Sequence, residues 1–268
     1  MTYNWAKMEG KDILKALEDS DTMQNCAWEQ IGPFAWTVVL KAKPELASKC
    51  DWSKLPAWNQ MRILLAHPEL AKFADLSGLE GKDCVELLKH QEINVEIPWQ
   101  NLTGHDWAEL LQEHPDFACH CDWQNLTGHD WAELLQEHPD FACHCDWQKL
   151  DGHDWEELLS YKPLFADKCD FGVLNGRDWA NLLMTQPLFA NRCDFKLFDG
   201  SNWMHLLKFQ PLFADKCDFG LLDGFEWSEL LIMQPLLADK CDFSLLDDED
   251  WDSLLDVHPQ FADRRKTE

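Results

Sequence analysis

Apolar residues along this chain recur in a three-four rhythm. Asp106 precedes Trp107, Leu110 and Leu111, an i, i+3, i+4 stripe that puts three apolar side chains on one helix face. The stripe returns every 24 residues. Trp107, Trp131, Trp155, Trp179, Trp203, Trp227 and Trp251 are evenly spaced, and so are Pro115, Pro139, Pro163, Pro187, Pro211, Pro235 and Pro259. Asp106 is expected to cap its helix with Glu109 as a box-like partner, a pairing repeated at Asp130/Glu133 and Asp154/Glu157. Pro115 ends the helix by pushing His114 out of the α region, and it suits the first position of a new helix. Phe117, Ala118 and Cys121 then make a second short apolar face. Asp122, Trp123 and Leu126 predict one last turn before Gly128 reverses the chain. No segment alternates as a half-buried strand would.

Counted from its opening aromatic, the unit reads W-x2-L-x-G-x-D-W-x2-L-L-x3-P-x-F-A-x2-C-D, with Phe opening the later copies. Regular copies begin at Trp99, Trp123, Trp147, Phe171, Phe195, Phe219 and Phe243, and looser ones at Trp28, Trp52 and Leu76. Residues 100–123 and 124–147 are identical. Helices of two turns are unstable alone and must be held by neighbours. The expected fold is therefore an all-α solenoid of about eleven 24-residue repeats, each with two to three short helices. It is expected to form one elongated domain, with residues 1–27 as a degenerate capping repeat, 28–98 divergent and 99–266 regular. The pattern resembles tandem repeats of uncharacterised bacterial proteins, and the unit length is similar to that of leucine-rich repeat variant solenoids. Neither resemblance implies an activity or site residues.

Composition narrows the function. The 268 residues carry 23 Lys plus Arg against 49 Asp plus Glu, a net charge of −26. Direct binding to nucleic acid or to an anionic membrane face is disfavoured, and a basic protein partner is favoured. The start of the chain lacks the apolar run of a secretory signal, and no stretch is long enough to span a bilayer. The expected compartment is the cytoplasm.

Most candidate chemistry has a packing explanation. Eight of the eleven cysteines fall at one late position of the unit, where a thiol serves as a small apolar side chain. Cys119-His120-Cys121 and Cys143-His144-Cys145 are metal-capable, but their outer cysteines give way to Asp167 and Asn191 elsewhere, so no zinc or other cofactor is expected. Fifteen tryptophans could stack bases or sugars, yet their strict period points to a core. Units opening with Phe carry Val173, Leu197, Leu221 or Leu245 two residues later, which reads as volume compensation for the smaller ring. No phosphate loop, H-E-x-x-H or activated nucleophile is present, and an enzyme is not expected.

Two surface patterns remain. Net charge is −16 over residues 76–170 and −9 over 219–268, while the rest is close to neutral. Glu109, Glu113, Asp116, Glu133, Glu137, Asp140 and Glu156 form a middle acidic belt, either a solubilising face or a docking surface. In later repeats Leu164, Leu188, Phe209, Leu212, Met233 and Leu236 make an apolar stripe, read either as tighter packing or as a partner or self-association surface. The last unit replaces the ladder cysteine with Arg265, between Arg264 and Lys266, as a polar end cap would. A non-enzymatic protein-binding scaffold fits these features. The alternative is an acidic nucleic-acid mimic that occupies the basic groove of a nucleic-acid enzyme or defence effector.

Overall fold

The computed structural model describes residues 3–90 and 96–265. The chain is an all-α repeat solenoid, with no strand among the described residues. It divides into two compact units, Met1–Leu126 and Thr127–Glu268.

The first unit contains α1 (Gly10–Ala16), α2 (Ser20–Gln24), α3 (Pro33–Ala42), α4 (Ala57–Leu64), α5 (Gly81–Leu88) and α6 (Gly104–Glu113). Short 3₁₀ turns flank most of them, such as Trp52–Lys54 before α4 and Pro68–Phe73 after it. Helix α1 packs on α3, α3 on α4, α4 on α5 and α5 on α6. The opening repeat keeps the plan in altered form, with the 3₁₀ turn Trp5–Lys7, then α1, then α2 where later repeats have a Pro-led 3₁₀ turn.

The second unit is more regular. It holds α7 (Gly128–Glu137), α8 (Gly152–Tyr161), α9 (Gly176–Thr185), α10 (Gly200–Phe209), α11 (Gly224–Met233) and α12 (Asp248–Val257), each packed on the next. A Pro-led 3₁₀ segment follows each helix, as at Pro163–Asp167, and a single 3₁₀ turn led by Trp or Phe precedes the next. The core is the predicted stripe. Trp155, Leu158 and Leu159 are buried, as are their counterparts in every other repeat of the unit save Leu255, which is half-buried. From Trp147 onward each opening aromatic stacks on the helix tryptophan of its own repeat: Phe171 lies 5.5 Å from Trp179 and Phe219 5.3 Å from Trp227, nearly parallel.

Three local expectations are corrected. The helix caps stand three residues earlier than expected. Thr103 is the N-cap of α6, and Asp106 sits at the third helical position as the reciprocal half of a capping box. The Thr103 amide donates to Asp106 Oδ2 at 2.8 Å, and the Asp106 amide donates back to Thr103 Oγ1 at 3.2 Å. Thr127/Asp130 and Asp151/Asp154 repeat the arrangement, so Glu109, Glu133 and Glu157 are free of capping duty.

Gly128 does not reverse the chain. It is the first residue of α7, and no glycine among the described residues has positive φ. What excludes a side chain is the next repeat: a Cβ there would overlap the Asp154 carboxylate and the Lys149 carbonyl. Gly152 is confined in the same way by Asp178 and the carbonyl of Val173. These glycines let one helix start press against the capping carboxylate of its neighbour.

The volume compensation also fails. Val173, Leu197, Leu221 and Leu245 are each close to half exposed, so they do not fill space beside the Phe rings. Arg265 pairs with Asp248 and Asp252 of α12, tying the last 3₁₀ segment to the last helix; Lys266 lies outside the described residues.

Candidate functional site

Two positions of the repeat define a surface column. The fifteenth residue of the unit ends its α-helix, and at 100° per residue it lies well away from the Trp-Leu-Leu stripe. The eighteenth follows the helix-breaking proline. In the second unit these places are filled in turn by Glu137/Asp140, Tyr161/Leu164, Thr185/Leu188, Phe209/Leu212, Met233/Leu236 and Val257/Gln260. All are exposed. Leu188 is 88% and Leu236 93% accessible, which sets aside tighter packing as the reason for the apolar stripe. The six stripe residues named from the sequence thus share one face-forming pair of positions.

The acidic belt is less uniform. Glu113 and Asp116, and likewise Glu137 and Asp140, occupy those same two positions and are exposed. Glu109 and Glu113 converge on Lys89, at 2.9 and 3.7 Å, so part of their charge is balanced within the first unit. Glu133 lies 3.5 Å from His129, and Asp140 4.0 Å from His138 Nδ1.

Glu156 does not belong to the exposed belt. Its side chain is only 12% accessible, because it takes the place held by Ala108, Ala132 and Ala180, packed towards the next repeat. Burial pushes its carboxyl above the usual Glu range, opposed by a hydrogen bond from Ser160 at 3.2 Å, by His153 at 3.6 Å and by a hydrogen bond with Asn181. Glu157, one residue on, turns back to the preceding repeat and meets His129 at 3.7 Å and Gln136 at 3.2 Å. These groups edge an open cleft of about 490 Å³ that also includes Tyr161 and Thr185.

The cysteines are all free thiols. In the late ladder position, Cys121, Cys145, Cys169, Cys193, Cys217 and Cys241 are half-buried, and burial pushes each thiol up to about 12, with the following Asp adding to the effect. Cys119 and Cys143 are exposed. His120 stacks flat on Trp99 with ring centres 4.4 Å apart. No cluster of three or more His, Cys, Asp or Glu among the described residues is placed to hold a metal. No helix among them is long and apolar enough to cross a membrane.

One polar device was missed from the sequence. The residue before the unit's proline reaches back to the preceding repeat. Gln186 Nε2 donates to the Ser160 carbonyl at 2.9 Å, Gln210 to Met184 at 2.8 Å and Gln234 to Lys208 at 2.8 Å. His258 Nε2 makes the same contact with the Ile232 carbonyl, as does His67 with Lys41 in the first unit, both at 3.0 Å. The carbonyls lie near helix C-termini, where they lack intrahelical donors. Only the recurrence of Gln or His before most of the repeat prolines could have signalled it. Compared with known families, known proteins and solved structures, the chain matches none.

Proposed function

We propose that the protein is a non-enzymatic scaffold that binds a protein partner through the exposed column of its second unit. The observation carrying this reading is the run of solvent-facing apolar residues at Tyr161, Leu164, Leu188, Phe209, Leu212, Met233 and Leu236. Single exposed leucines are ordinary, but a row in four consecutive repeats is a contiguous apolar feature of the sort that marks contacts. The core is already complete without them, since the Trp-Leu-Leu stripe fills the helix interfaces. Their exposure serves no packing purpose.

The nucleic-acid mimic is less well supported by the carboxylates. Two of them share Lys89, Glu133 neighbours His129 and Glu156 is largely enclosed, so few stand free in a phosphate-like row. The partner is thus a protein with some basic character, and no cofactor takes part.

The test is photo-crosslinking in the native host from a reactive residue placed at 188 or 236. A discrete protein adduct from both places, lost from exposed position 201 on the N-terminal turn of α10, is expected. Equal labelling from all three would remove the apolar column from the function. Adducts to a nucleic-acid enzyme that compete with DNA or RNA, and that vanish on reversing Glu133 and Glu137, would favour the mimic.

A further inference from the structure

Resting on the reading that the column binds protein, we propose that its occupant is an amphipathic α-helix of the partner, lying across the repeats. Its basic end meets Glu137 and Asp140, and its apolar seam covers Tyr161 through Leu236.

Spacing selects a helix. Packed helices sit roughly 8–10 Å apart, which sets the scale of the step from one repeat's column residues to the next. Seven residues of α-helix rise about 10.5 Å, so one heptad of the partner advances with each repeat. The column is two side chains wide: Tyr161 with Leu164, Phe209 with Leu212, and Met233 with Leu236. A heptad seam also supplies two apolar side chains per period. An extended strand would cover the same step in about three residues, and its alternation would turn every second contact away from the surface.

Charge sets the direction. At the Glu137/Asp140 end the same two positions carry carboxylates instead of leucines. Neither has a Lys or Arg partner among the described residues; Asp140 has the His138 ring at 4.0 Å. At the other end, Val257 and Gln260 are neutral. A uniformly apolar helix would leave the two carboxylates facing its apolar side chains, whereas Lys or Arg in the terminal heptad would meet them. A second copy of this chain does not supply such a ligand, because its α-helices are ten residues or shorter among the described residues.

The experiment uses the full chain and two labelled synthetic peptides of about four heptads, kept dilute enough to be monomeric. Both carry the same Leu seam; one ends in a Lys cluster and the other in a Glu cluster. Fluorescence anisotropy is expected to show the Lys peptide binding about three- to tenfold more tightly, with the difference shrinking as salt rises. Glu137→Lys with Asp140→Lys should reverse the preference, and Leu188→Asp with Leu236→Asp should weaken both peptides at least about tenfold, the scale of one lost apolar anchor. Dichroism confirms that each variant keeps its helix signal. If the leucine pair changes nothing, the column is not the binding surface and the proposed function falls with it. If the leucines matter but the charge reversal leaves the preference intact, the orientation is wrong while the scaffold reading stands. Absence of binding by either peptide to the unaltered chain overturns the helical occupant.

Discussion

The two units use one repeat plan but vary opposite parts of it. In Met1–Leu126 the interior changes from copy to copy. The place of the helix tryptophan is taken by Trp36 in α3, Gln60 in α4, Cys84 in α5 and Trp107 in α6. Buried Gln60 satisfies itself by donating to the Trp52 and Leu55 carbonyls at 3.1 and 2.8 Å, while accepting from the Asp75 amide at 2.8 Å. In Thr127–Glu268 the Trp-Leu-Leu core is constant and the exposed column changes, from carboxylates to large apolar side chains. A polar core position requires partners at fixed geometry, whereas a fully exposed position has no packing constraint. The comparison teaches where freedom lies: the second unit holds its framework fixed and varies what it presents.

Matched substitutions can break that contrast. The largest expected effect is Trp179→Ala, a loss of about 4 kcal/mol from a deleted core aromatic, read as a shift in the chemical denaturation midpoint of the second unit. Gln60→Ala, at the same repeat position in the first unit, should cost about 2 kcal/mol through its abandoned backbone partners. A larger loss at Gln60 than at Trp179 would reverse the picture.

Glycine tests what the units share. A Cβ at Gly81 meets the Asp106 carboxylate, and one at Gly152 meets that of Asp178. Both Gly→Ala changes should therefore lower stability by similar amounts, about 1–3 kcal/mol each. A neutral outcome at either would mean that the helix starts are not pressed together there.

Glu156 stands at the framework position of the second unit that does vary, held elsewhere by Ala132, Ala180, Met204, Ser228 and Asp252. Because burial raises its carboxyl pKa in the folded state, the folded chain holds that proton more tightly than the unfolded chain. Its contribution is present below the unfolded value and lost as pH rises through the folded one. Glu156→Ala should raise stability at pH 7 by about 1 kcal/mol, and the gain should shrink on acidification through the carboxylate range. An unchanged gain down to pH 3 would assign it to helix propensity instead. Smallest of all, Leu188→Asp with Leu236→Asp should leave the denaturation midpoint within about 0.5 kcal/mol per site. A loss of several kcal/mol would place those leucines in the core.

The repeat, its helices and the Trp-Leu-Leu core were legible because they depend on local period. The misreadings come from contacts between repeats. Thr103 and Asp106 are both cap-type residues three apart, and only backbone geometry separates the cap from its reciprocal partner. Gly128 has the composition of a turn, yet what confines it is the Asp154 carboxylate. Glu156 and Glu157 differ by one residue, and the 100° turn between them sends one towards the next helix and the other back to His129 and Gln136 of the preceding repeat. The apolar stripe was visible in sequence as a change of residue type, but its exposure depends on where neighbouring helices stand. The acidic and apolar candidates then prove to occupy the same two places of the repeat.

The hydrogen bonds that Gln or His makes from the position before a repeat proline have a consequence for how such a chain can change length. Gln186 reaches the Ser160 carbonyl and Gln210 that of Met184, each 26 residues back. Excising residues 171–194, one whole repeat, would bring Gln210 to that same separation from Ser160, and the donor would find an equivalent oxygen. Losing one residue more or fewer would put the one pair that spans the junction out of step, while pairs lying wholly beyond it, such as Gln234 and the Lys208 carbonyl, would keep their spacing. Loss or gain of a whole unit therefore keeps each donor in step with a carbonyl, so unequal recombination between near-identical repeats can shift the acidic and apolar segments of the column without disturbing the framework beneath them.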